Sequence, residues 1–138
     1  MALAENPFAR ARDDHRSEVA EDYVELIYRL MQGREEVRTA DLVEALGVSQ
    51  PTVTQTLDRL QRDGLVRVHP RRRVELTKEG GELAKSLLER HVLIVRFLEA
   101  VGVPKEVAEL DAEGIEHHVS ETTQRAIARF VRKQGGAK

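Results

Sequence analysis

The sequence predicts a mainly α-helical protein with one small β-hairpin. Apolar residues recur at three-to-four spacing along most of the chain, and a single short stretch near the middle alternates instead. The composition agrees, because 41% hydrophobic residues with only 4% aromatics and no tryptophan are typical of small helical proteins rather than sandwiches or barrels. At 138 residues, the chain is long enough for one compact domain or two small ones.

The N-terminal part of the chain changes character near residue 18. Residues 1–17 are polar and charged without a clear apolar period, so we expect them to form a loose arm. Beyond them, Tyr23, Ile27 and Leu30 recur at helical spacing. A first helix is therefore predicted from about Glu18 to Gln32.

Two short helices separated by a glycine turn come next. Thr39 is predicted to cap the first of them, which ends at Gly47. Ser49 is predicted to cap the second, which ends at Gly64. A helix, a tight turn and a second helix form the helix-turn-helix motif.

The alternating stretch LVRVHPRRRVELT follows the second of these helices directly. Residues 65–69 and 73–77 alternate around a Pro-Arg-Arg turn, which indicates a two-stranded hairpin. A hairpin in this position predicts the winged variant of the helix-turn-helix. The alternative is a plain helical hairpin followed by a loop.

The remaining sequence predicts only helices. A long helix follows Thr77 and ends at Gly102, and Pro104 suits the start of another. A further helix is expected to begin near Asp111, and Ser120 is predicted to cap the last one.

The net charge of −2 hides a strong asymmetry along the chain. Between Ser49 and Arg73 there are six arginines and two aspartates, whereas between Glu99 and Glu121 there are seven acidic residues and one lysine. The first segment therefore suits a polyanion, and the second suits cations.

The basic segment contains candidate DNA contacts. In a helix-turn-helix protein the second helix enters the major groove, where glutamine can bond adenine and threonine can contact thymine. Arginines farther along and in the wing would bind phosphates or the minor groove. The alternative is that Ser49 only caps its helix and that the turn arginines are only solvated. The candidate residues are Ser49, Gln50, Pro51, Thr52, Gln55, Arg59, Arg71, Arg72 and Arg73.

The acidic segment contains the stretch AEGIEHHVSE, residues 112–121. On a helix, Glu113, Glu116 and His117 would project within one arc of roughly 100°, while His118 would point away and serve in packing or support. Three possible metal ligands would then share a face. The alternative is an ordinary charged surface helix.

Further possible ligands lie earlier in the chain. Asp22 and Glu25 are three residues apart on the first helix, and His91 interrupts an apolar stripe. A lone histidine in such a stripe is more often a core residue, but four carboxylates gathered without a cation would repel one another. Because the chain has no cysteine, a carboxylate and imidazole site would suit Mn²⁺ or Fe²⁺ rather than a softer ion.

These motifs resemble one family, the metal-dependent repressors of the diphtheria-toxin-repressor class, and within it the manganese transport regulators (MntR-type). The resemblance covers about residues 20–131 and rests on the segments DYVELIY, LGVSQPTVTQTLDRL, ERH and DAEGIEHHVSE. It implies a site for up to two Mn²⁺ ions per subunit, with Asp22, Glu25, His91, Glu113, Glu116 and His117 as ligands. Iron-type members place Met and Cys where this chain has Asp22 and Glu116, and they carry an extra C-terminal domain, so the resemblance favours manganese.

The resemblance also implies an architecture and a function. We expect a flexible charged arm (1–17), a winged helix-turn-helix DNA-binding domain (18–79) and an all-helical dimerisation and metal-sensing domain (80–138). A homodimer would bind palindromic operators of manganese-homeostasis genes with Mn²⁺ as corepressor, its recognition helices about 34 Å apart. We expect a cytoplasmic protein that is not an enzyme and has no membrane or small organic ligand partner. The alternatives are an iron-responsive regulator, a winged-helix regulator of an organic ligand, and a di-manganese hydrolase.

Overall fold

The computed structural model describes residues 6–136, apart from the side chains of Arg10, Asp13 and Asp14. Within that part of the chain, helices dominate and the strands are short, so the predicted mainly helical class is confirmed. None of the described helices has the length and hydropathy needed to span a membrane. In chain order the elements are α1 (Pro7–Gly33), β1 (Val37–Arg38), α2 (Thr39–Leu46), α3 (Gln50–Arg62), β2 (Val66–Val68), β3 (Arg73–Leu76), α4 (Lys78–Ala100), α5 (Lys105–Ile115) and α6 (Glu121–Gly136).

The chain forms two compact units. One unit, here called the sheet unit, is residues 19–85, and the other, here called the helical unit, combines residues 86–136 with residues 6–18 of the described chain. The boundaries fall within α1 and α4, so each of these helices contributes to both units.

The sheet unit encloses an apolar core supplied by α1, α2, α3 and the three strands. On α3, the buried residues Val53, Leu57 and Leu60 recur at three-to-four spacing and form one apolar stripe. Burying side chains of this size stabilises the fold by roughly 1.5–3 kcal/mol each. The buried core residues of this unit are Tyr23, Ile27, Val37, Leu42, Val53, Leu57, Leu60, Val66 and Val74.

The helix-turn-helix of the sheet unit is confirmed in its central features. Gly47 follows α2 with φ of 67°, a left-handed conformation that glycine adopts without steric cost. Two residues later, the hydroxyl of Ser49 accepts a hydrogen bond of 3.3 Å from the backbone N–H of Thr52 and so caps α3, as predicted.

The predicted cap of α2 is wrong. Thr39 is the first helical residue and is buried, while Arg38 precedes the helix in an extended conformation. The carboxylate of Asp41 accepts a hydrogen bond of 2.8 Å from the backbone N–H of Arg38. The acid in the first turn therefore binds the backbone of the residue before the helix, as the third residue of a capping box does, and the N-cap position belongs to Arg38 and not to Thr39.

The wing is an antiparallel sheet with strand order β1-β3-β2. The predicted hairpin is confirmed, with Val66 opposite Leu76 and Val68 opposite Val74. The third strand, β1, was not predicted, and it places Val37 opposite Val74. A strand of two residues is too short to show alternation, so only its pairing with β3 identifies it.

Helices α4, α5 and α6 form most of the helical unit. The buried residues Ile94, Val95, Ala108 and Ala112 are its apolar core. The rings of Phe97 and Phe130 pack edge to face with their centroids 5.6 Å apart, which holds α6 against α4. The predicted cap of α6 is confirmed, because the hydroxyl of Ser120 accepts a 3.2 Å hydrogen bond from the backbone N–H of Thr123.

The expected loose arm is wrong for residues 7–17, which are helical, and α1 begins at Pro7 rather than near Glu18. The side chain of Asn6 accepts a 2.9 Å hydrogen bond from the backbone N–H of Phe8, and Pro7 occupies the first helical position. These residues start a helix without any apolar period. Residues 1–5 of the expected arm lie outside the described residues.

A second correction concerns the acidic segment. Helix α5 runs without a break from Lys105 to Ile115, so the separate helix expected near Asp111 does not exist. Pro104 precedes the helix in an extended conformation and nothing interrupts the eleven residues that follow. The stretch AEGIEHH consequently straddles the end of a helix, with Glu116 as the C-terminal cap residue.

Two adjacent glycines at the start of α4 provide a test of the packing in the sheet unit. A Cβ on Gly80 would lie 2.1 Å from the backbone oxygen of Leu65, whereas a Cβ on Gly81 would meet nothing within 4 Å. Gly80→Ala is therefore expected to lower the free energy of unfolding by about 3 kcal/mol. Gly81→Ala, the matched control, should raise it by about 0.5–1 kcal/mol. Urea unfolding followed by circular dichroism measures both, and equal effects of the two changes would contradict the close packing at Gly80.

Candidate metal centre and nucleic-acid interface

The acidic end of α5 places one carboxylate entirely out of contact with solvent. The side chain of Glu116 is 0% exposed and lies between two imidazoles. Its Oε2 atom is 2.9 Å from Nδ1 of His91, and its Oε1 atom is 3.5 Å from Nε2 of His117. A buried carboxylate requires hydrogen-bonded or cationic partners, and His91 is one of them because it forms a hydrogen bond with Oε2.

His91 projects from α4 toward a group of acids on and after α5. Besides Glu116, its Nδ1 atom lies 3.8 Å from Glu113, and its Nε2 atom lies 2.8 Å from Glu109. Burial alone lowers the pKa of His91, but the hydrogen bond with Glu109 and the charge and hydrogen bond of Glu116 outweigh it. The net result is a raised pKa, so the acids favour positive charge at this ring.

The turn that carries Glu116 and His117 is held by its neighbours in the helical unit. Arg90 of α4 donates a 2.8 Å hydrogen bond to the backbone oxygen of Glu116. His118 points to the other side, where its Nε2 atom lies 3.0 Å from Glu18 of α1. The expectation that His118 supports the motif rather than joins the ligands agrees with this contact.

The two candidate ligands on α1 belong to the sheet unit. Asp22 is exposed, while Glu25 is buried and accepts a hydrogen bond from Arg29 one turn later. Both lie on one helix, three residues apart, as the sequence predicted.

Within the helical unit, the donor set fits a divalent cation. One donor atom each from His91, Glu113 and Glu116 lie within 4.8 Å of one another. Carboxylate oxygen with imidazole nitrogen, without any sulfur, suits Mn²⁺, Fe²⁺ or Zn²⁺ rather than a soft ion. The structure thus brings three of the six predicted ligands together, with His117 beside them.

Glu109 was not among the predicted residues, although it touches His91 as closely as Glu116 does. It precedes Glu113 by four residues on α5, so both side chains lie on the same helical face. That spacing is the signal in the sequence that could have identified it.

The exposed surface of the sheet unit carries the predicted DNA contacts of α3. Ser49, Gln50, Pro51, Thr52 and Gln55 all lie at or near the N-terminal end of this helix and are exposed. Amide and hydroxyl groups are therefore presented together at the end of the helix that reads bases in helix-turn-helix proteins.

The arginines predicted to bind DNA differ in their placement. Arg71 and Arg72 are exposed at the wing tip, with φ values of 65° and 59°. Arg73 lies instead in β3, with its Nη1 atom 3.7 Å from Glu75. The Nη2 atom of Arg59 is buried and has no hydrogen-bond partner among the described residues. Its contact with DNA stays a prediction, as do those of the others.

Thr54 of α3 forms a hydrogen bond with the wing tip. Its hydroxyl oxygen accepts a 3.4 Å hydrogen bond from the guanidinium of Arg72. A shallow cleft beside this contact is lined by Gln50, Pro51 and Gln55. The sequence could not indicate Thr54, because its role depends on where the wing folds.

The comparisons with protein families account for nearly the whole chain. Residues 15–74 match the family described as iron dependent repressor, N-terminal DNA binding domain. Residues 77–134 match the family described as iron dependent repressor, metal binding and dimerisation domain. The chain belongs to the iron-dependent repressor family. The resemblance to the diphtheria-toxin-repressor class is thereby confirmed.

Among relatives in this family, the chain is similar to MntR regulators. It is 48% identical over 128 residues to transcriptional regulator MntR of Escherichia coli O157:H7, covering 93% of this chain and 83% of the relative. It is 39% identical over 100 residues to HTH-type transcriptional regulator MntR of Bacillus subtilis strain 168, covering 72% and 70%. The predicted MntR-type membership of the family is confirmed.

Solved structures of this family support the same fold. A manganese-dependent transcriptional repressor in complex with manganese matches with a TM-score of 0.70 and 31% identity. The match covers 81% of this chain and 52% of that protein, so the chain spans about half of its length. ScaR with bound Zn²⁺ matches with a TM-score of 0.72 and 26% identity. The winged helix-turn-helix and helical architecture is therefore common to metal-dependent repressors.

A polar pair stabilises the wing of this family member. Nε2 of His69 lies 2.7 Å from Glu75. This hydrogen bond lowers the pKa of Glu75 from its ordinary value of 4.5, and the charges of His69, Arg73 and Arg67 lower it further. Burial opposes the shift but is outweighed. A lowered pKa in the folded state means that Glu75 stabilises the fold above pH 4.5 and that this contribution is lost as pH falls through the lowered value.

The pair predicts how wing stability responds to acid. Glu75→Gln should lower the free energy of unfolding near neutral pH by no more than about 1 kcal/mol, because the pair is partly exposed. The difference from wild type should then shrink as the pH falls below 4.5. Urea unfolding at a series of pH values measures it, with Glu44→Gln on the exposed face of α2 as the control. A difference that stays constant into the acid range would contradict this assignment.

Proposed function

We propose that this protein is a manganese-responsive transcriptional regulator in which Mn²⁺ acts as corepressor. The observation that carries the proposal is the cluster of His91, Glu113 and Glu116, built without sulfur around a fully buried carboxylate. The MntR relatives and the structural neighbour in complex with manganese support the choice of metal. The regulated genes would be those of manganese homeostasis. An iron-responsive regulator of the same family is the alternative.

The proposed site holds up to two Mn²⁺ ions per subunit. In the helical unit, His91, Glu113, Glu116 and His117 would bind the metal, and Mn²⁺ would neutralise the carboxylates gathered there. The family resemblance implies that Asp22 and Glu25 are also ligands, and we include them in the proposed set for that reason. Selectivity for Mn²⁺ would depend on coordination number and geometry, since this ion stands at the weak end of the affinity series.

The proposed DNA interface is the exposed end of α3 together with the wing. Residues 18–79 would form the DNA-binding domain and residues 80–138 the domain that dimerises and senses metal. Glutamine and threonine at the end of α3 would contact bases, and the arginines would contact phosphates or the minor groove. The proposed contacts are Ser49, Gln50, Pro51, Thr52, Gln55, Arg59, Arg71, Arg72 and Arg73.

The protein is proposed to act as a homodimer on palindromic operators. The family of its second domain is described as a dimerisation domain. Helix α5 presents an exposed apolar face that suits this role, because Leu110 is 76% exposed and Val107 and Ile115 are also exposed. Gly114 lies on the same side, and a Cβ there would meet nothing within 4 Å, which leaves room for close approach of a second copy.

A protein with this function binds DNA and metal and catalyses no reaction. It would act where the bacterial chromosome lies, so we propose that it is cytoplasmic. Small organic ligands and membranes have no part in the proposed mechanism.

The central test is the metal dependence of DNA binding. Mn²⁺ should raise the affinity for a palindromic operator, selected from genomic fragments, by roughly 5- to 150-fold, the usual range of coupling between two sites. His91→Ala and Glu116→Gln should remove this response because each deletes a ligand. Fluorescence anisotropy of labelled operator DNA with and without Mn²⁺ measures the effect.

The control for this experiment is Glu106→Gln, which alters an exposed acid at the start of α5 and should keep the full response. Operator affinity that is the same with and without Mn²⁺ would contradict the proposal. A stronger response to Fe²⁺ at equal free concentration would favour the iron alternative. A regulator of an organic ligand would bind DNA equally well in wild type and in Glu116→Gln.

The dimer face has its own test. Leu110→Glu should convert the dimer into a monomer, because a carboxylate would have to be desolvated in an apolar interface. Val101→Glu changes a 56% exposed apolar residue in the turn after α4 and should leave the dimer intact. Sedimentation velocity at a matched concentration measures both, and a Leu110→Glu variant that remains dimeric would place the interface elsewhere.

A further inference from the structure

The two ring nitrogens of His91 face carboxylates on opposite sides. On one side, Nδ1 lies 2.9 Å from Glu116 and 3.8 Å from Glu113. On the other side, Nε2 lies 2.8 Å from Oε2 of Glu109. Glu113 and Glu116 therefore face the Nδ1 edge of the ring, and Glu109 faces the Nε2 edge.

This division matters because a histidine binds a metal through one nitrogen at a time. The ligating nitrogen must be deprotonated, so the second nitrogen of a neutral ring carries the proton and donates it to a neighbour. In many metal sites that neighbour is a carboxylate, which fixes the tautomer and raises the basicity of the ligand. Glu109 occupies this position relative to His91.

Glu109 also differs from the ligands in its surroundings. Its side chain is 48% exposed, whereas that of His91 is 13% exposed and that of Glu116 is fully buried. Its Oε2 atom lies beyond the ring and not on the side where Glu113 and Glu116 converge. An ion held by Nδ1 of His91 and by these two acids would be on the far side of the imidazole from Glu109.

We propose that Glu109 is a positioning residue that accepts the Nε2–H of His91, holds the ring in that tautomer and thereby presents Nδ1 to the metal. This proposal rests on the proposed metal-sensing function and deepens it, because it assigns a role to a residue outside the ligand set. Glu109 itself does not touch the metal.

The proposal is tested by metal binding rather than by DNA binding. Titration of purified protein with Mn²⁺, followed by the electron paramagnetic resonance signal of the free ion, gives both the affinity and the number of ions bound. Glu109→Ala should weaken affinity on the order of 10- to 100-fold, as loss of an outer partner does, without changing the number of ions. Glu109→Gln should fall between wild type and Glu109→Ala, because its amide oxygen still accepts the hydrogen bond but lacks the charge.

A spectroscopic measurement separates this role from a general loss of structure. In protein loaded with diamagnetic Zn²⁺, ¹⁵N-resolved imidazole spectra should show His91 protonated at Nε2, with the proton protected from exchange. The protected signal should persist in Glu109→Gln and disappear in Glu109→Ala, and the His91→Gln variant assigns it. Glu106→Gln, which changes another exposed acid of the same helix, should leave both the signal and the Mn²⁺ affinity unchanged.

Several results would overturn the proposal. Loss of one whole bound ion in Glu109→Ala would make Glu109 a ligand, and protonation of His91 at Nδ1 in the Zn²⁺ form would reverse the assignment of the two nitrogens. Unchanged affinity in Glu109→Ala would overturn the role of Glu109 alone and leave the proposed function standing. A wild-type protein that binds no Mn²⁺ would overturn both proposals together.

Discussion

The helical unit is organised by the burial of one charged group, the carboxylate of Glu116. A carboxylate removed from water must be paired or coordinated, because its isolated charge would cost several kcal/mol. The two histidines that flank it, His91 and His117, come from α4 and from the turn after α5. The hydrogen bond between Glu116 and His91 therefore joins the end of α5 to α4. His91, which forms this hydrogen bond in the folded protein, is also suited to bind a divalent cation.

The position of Glu116 at the end of a helix adds to this electrostatic effect. The C-terminal end of a helix carries partial negative charge, which favours a cation nearby. Glu116 is the cap residue of α5, and Glu109 and Glu113 lie on the preceding turns. Arg90 donates a 2.8 Å hydrogen bond to the backbone oxygen of Glu116 at this helix end. The side-chain carboxylate of Glu116 faces His91 instead. Local backbone geometry and side-chain charge therefore both favour a cation at the same place.

Patterns that repeat along the chain could be predicted from the sequence, and features that depend on one contact could not. The apolar stripe of α3, its Ser49 cap and the alternating hairpin follow from local rules, and the structure has all three. The helix over residues 7–17 lacks an apolar stripe, and β1 exists only through its partner β3. The sequence identified the candidate metal ligands of the helical unit by their residue types. It could not show that Glu109 and Glu116 lie on opposite sides of His91, because that placement depends on how α4 and α5 pack.

The wing shows a conflict between folding and the proposed function. Arg71 and Arg72 are both left-handed, which costs a residue with a Cβ roughly 1–2 kcal/mol at each position. Glycine or asparagine would adopt these angles more readily and would still close the hairpin. The requirements of the turn therefore do not explain two consecutive arginines there. Exposed guanidinium groups at the tip, one of them anchored to Thr54 of α3, are what a phosphate or minor-groove contact needs. The strained wing tip is thus better explained by the proposed DNA contact than by the stability of the sheet, as local backbone strain at functional sites generally is.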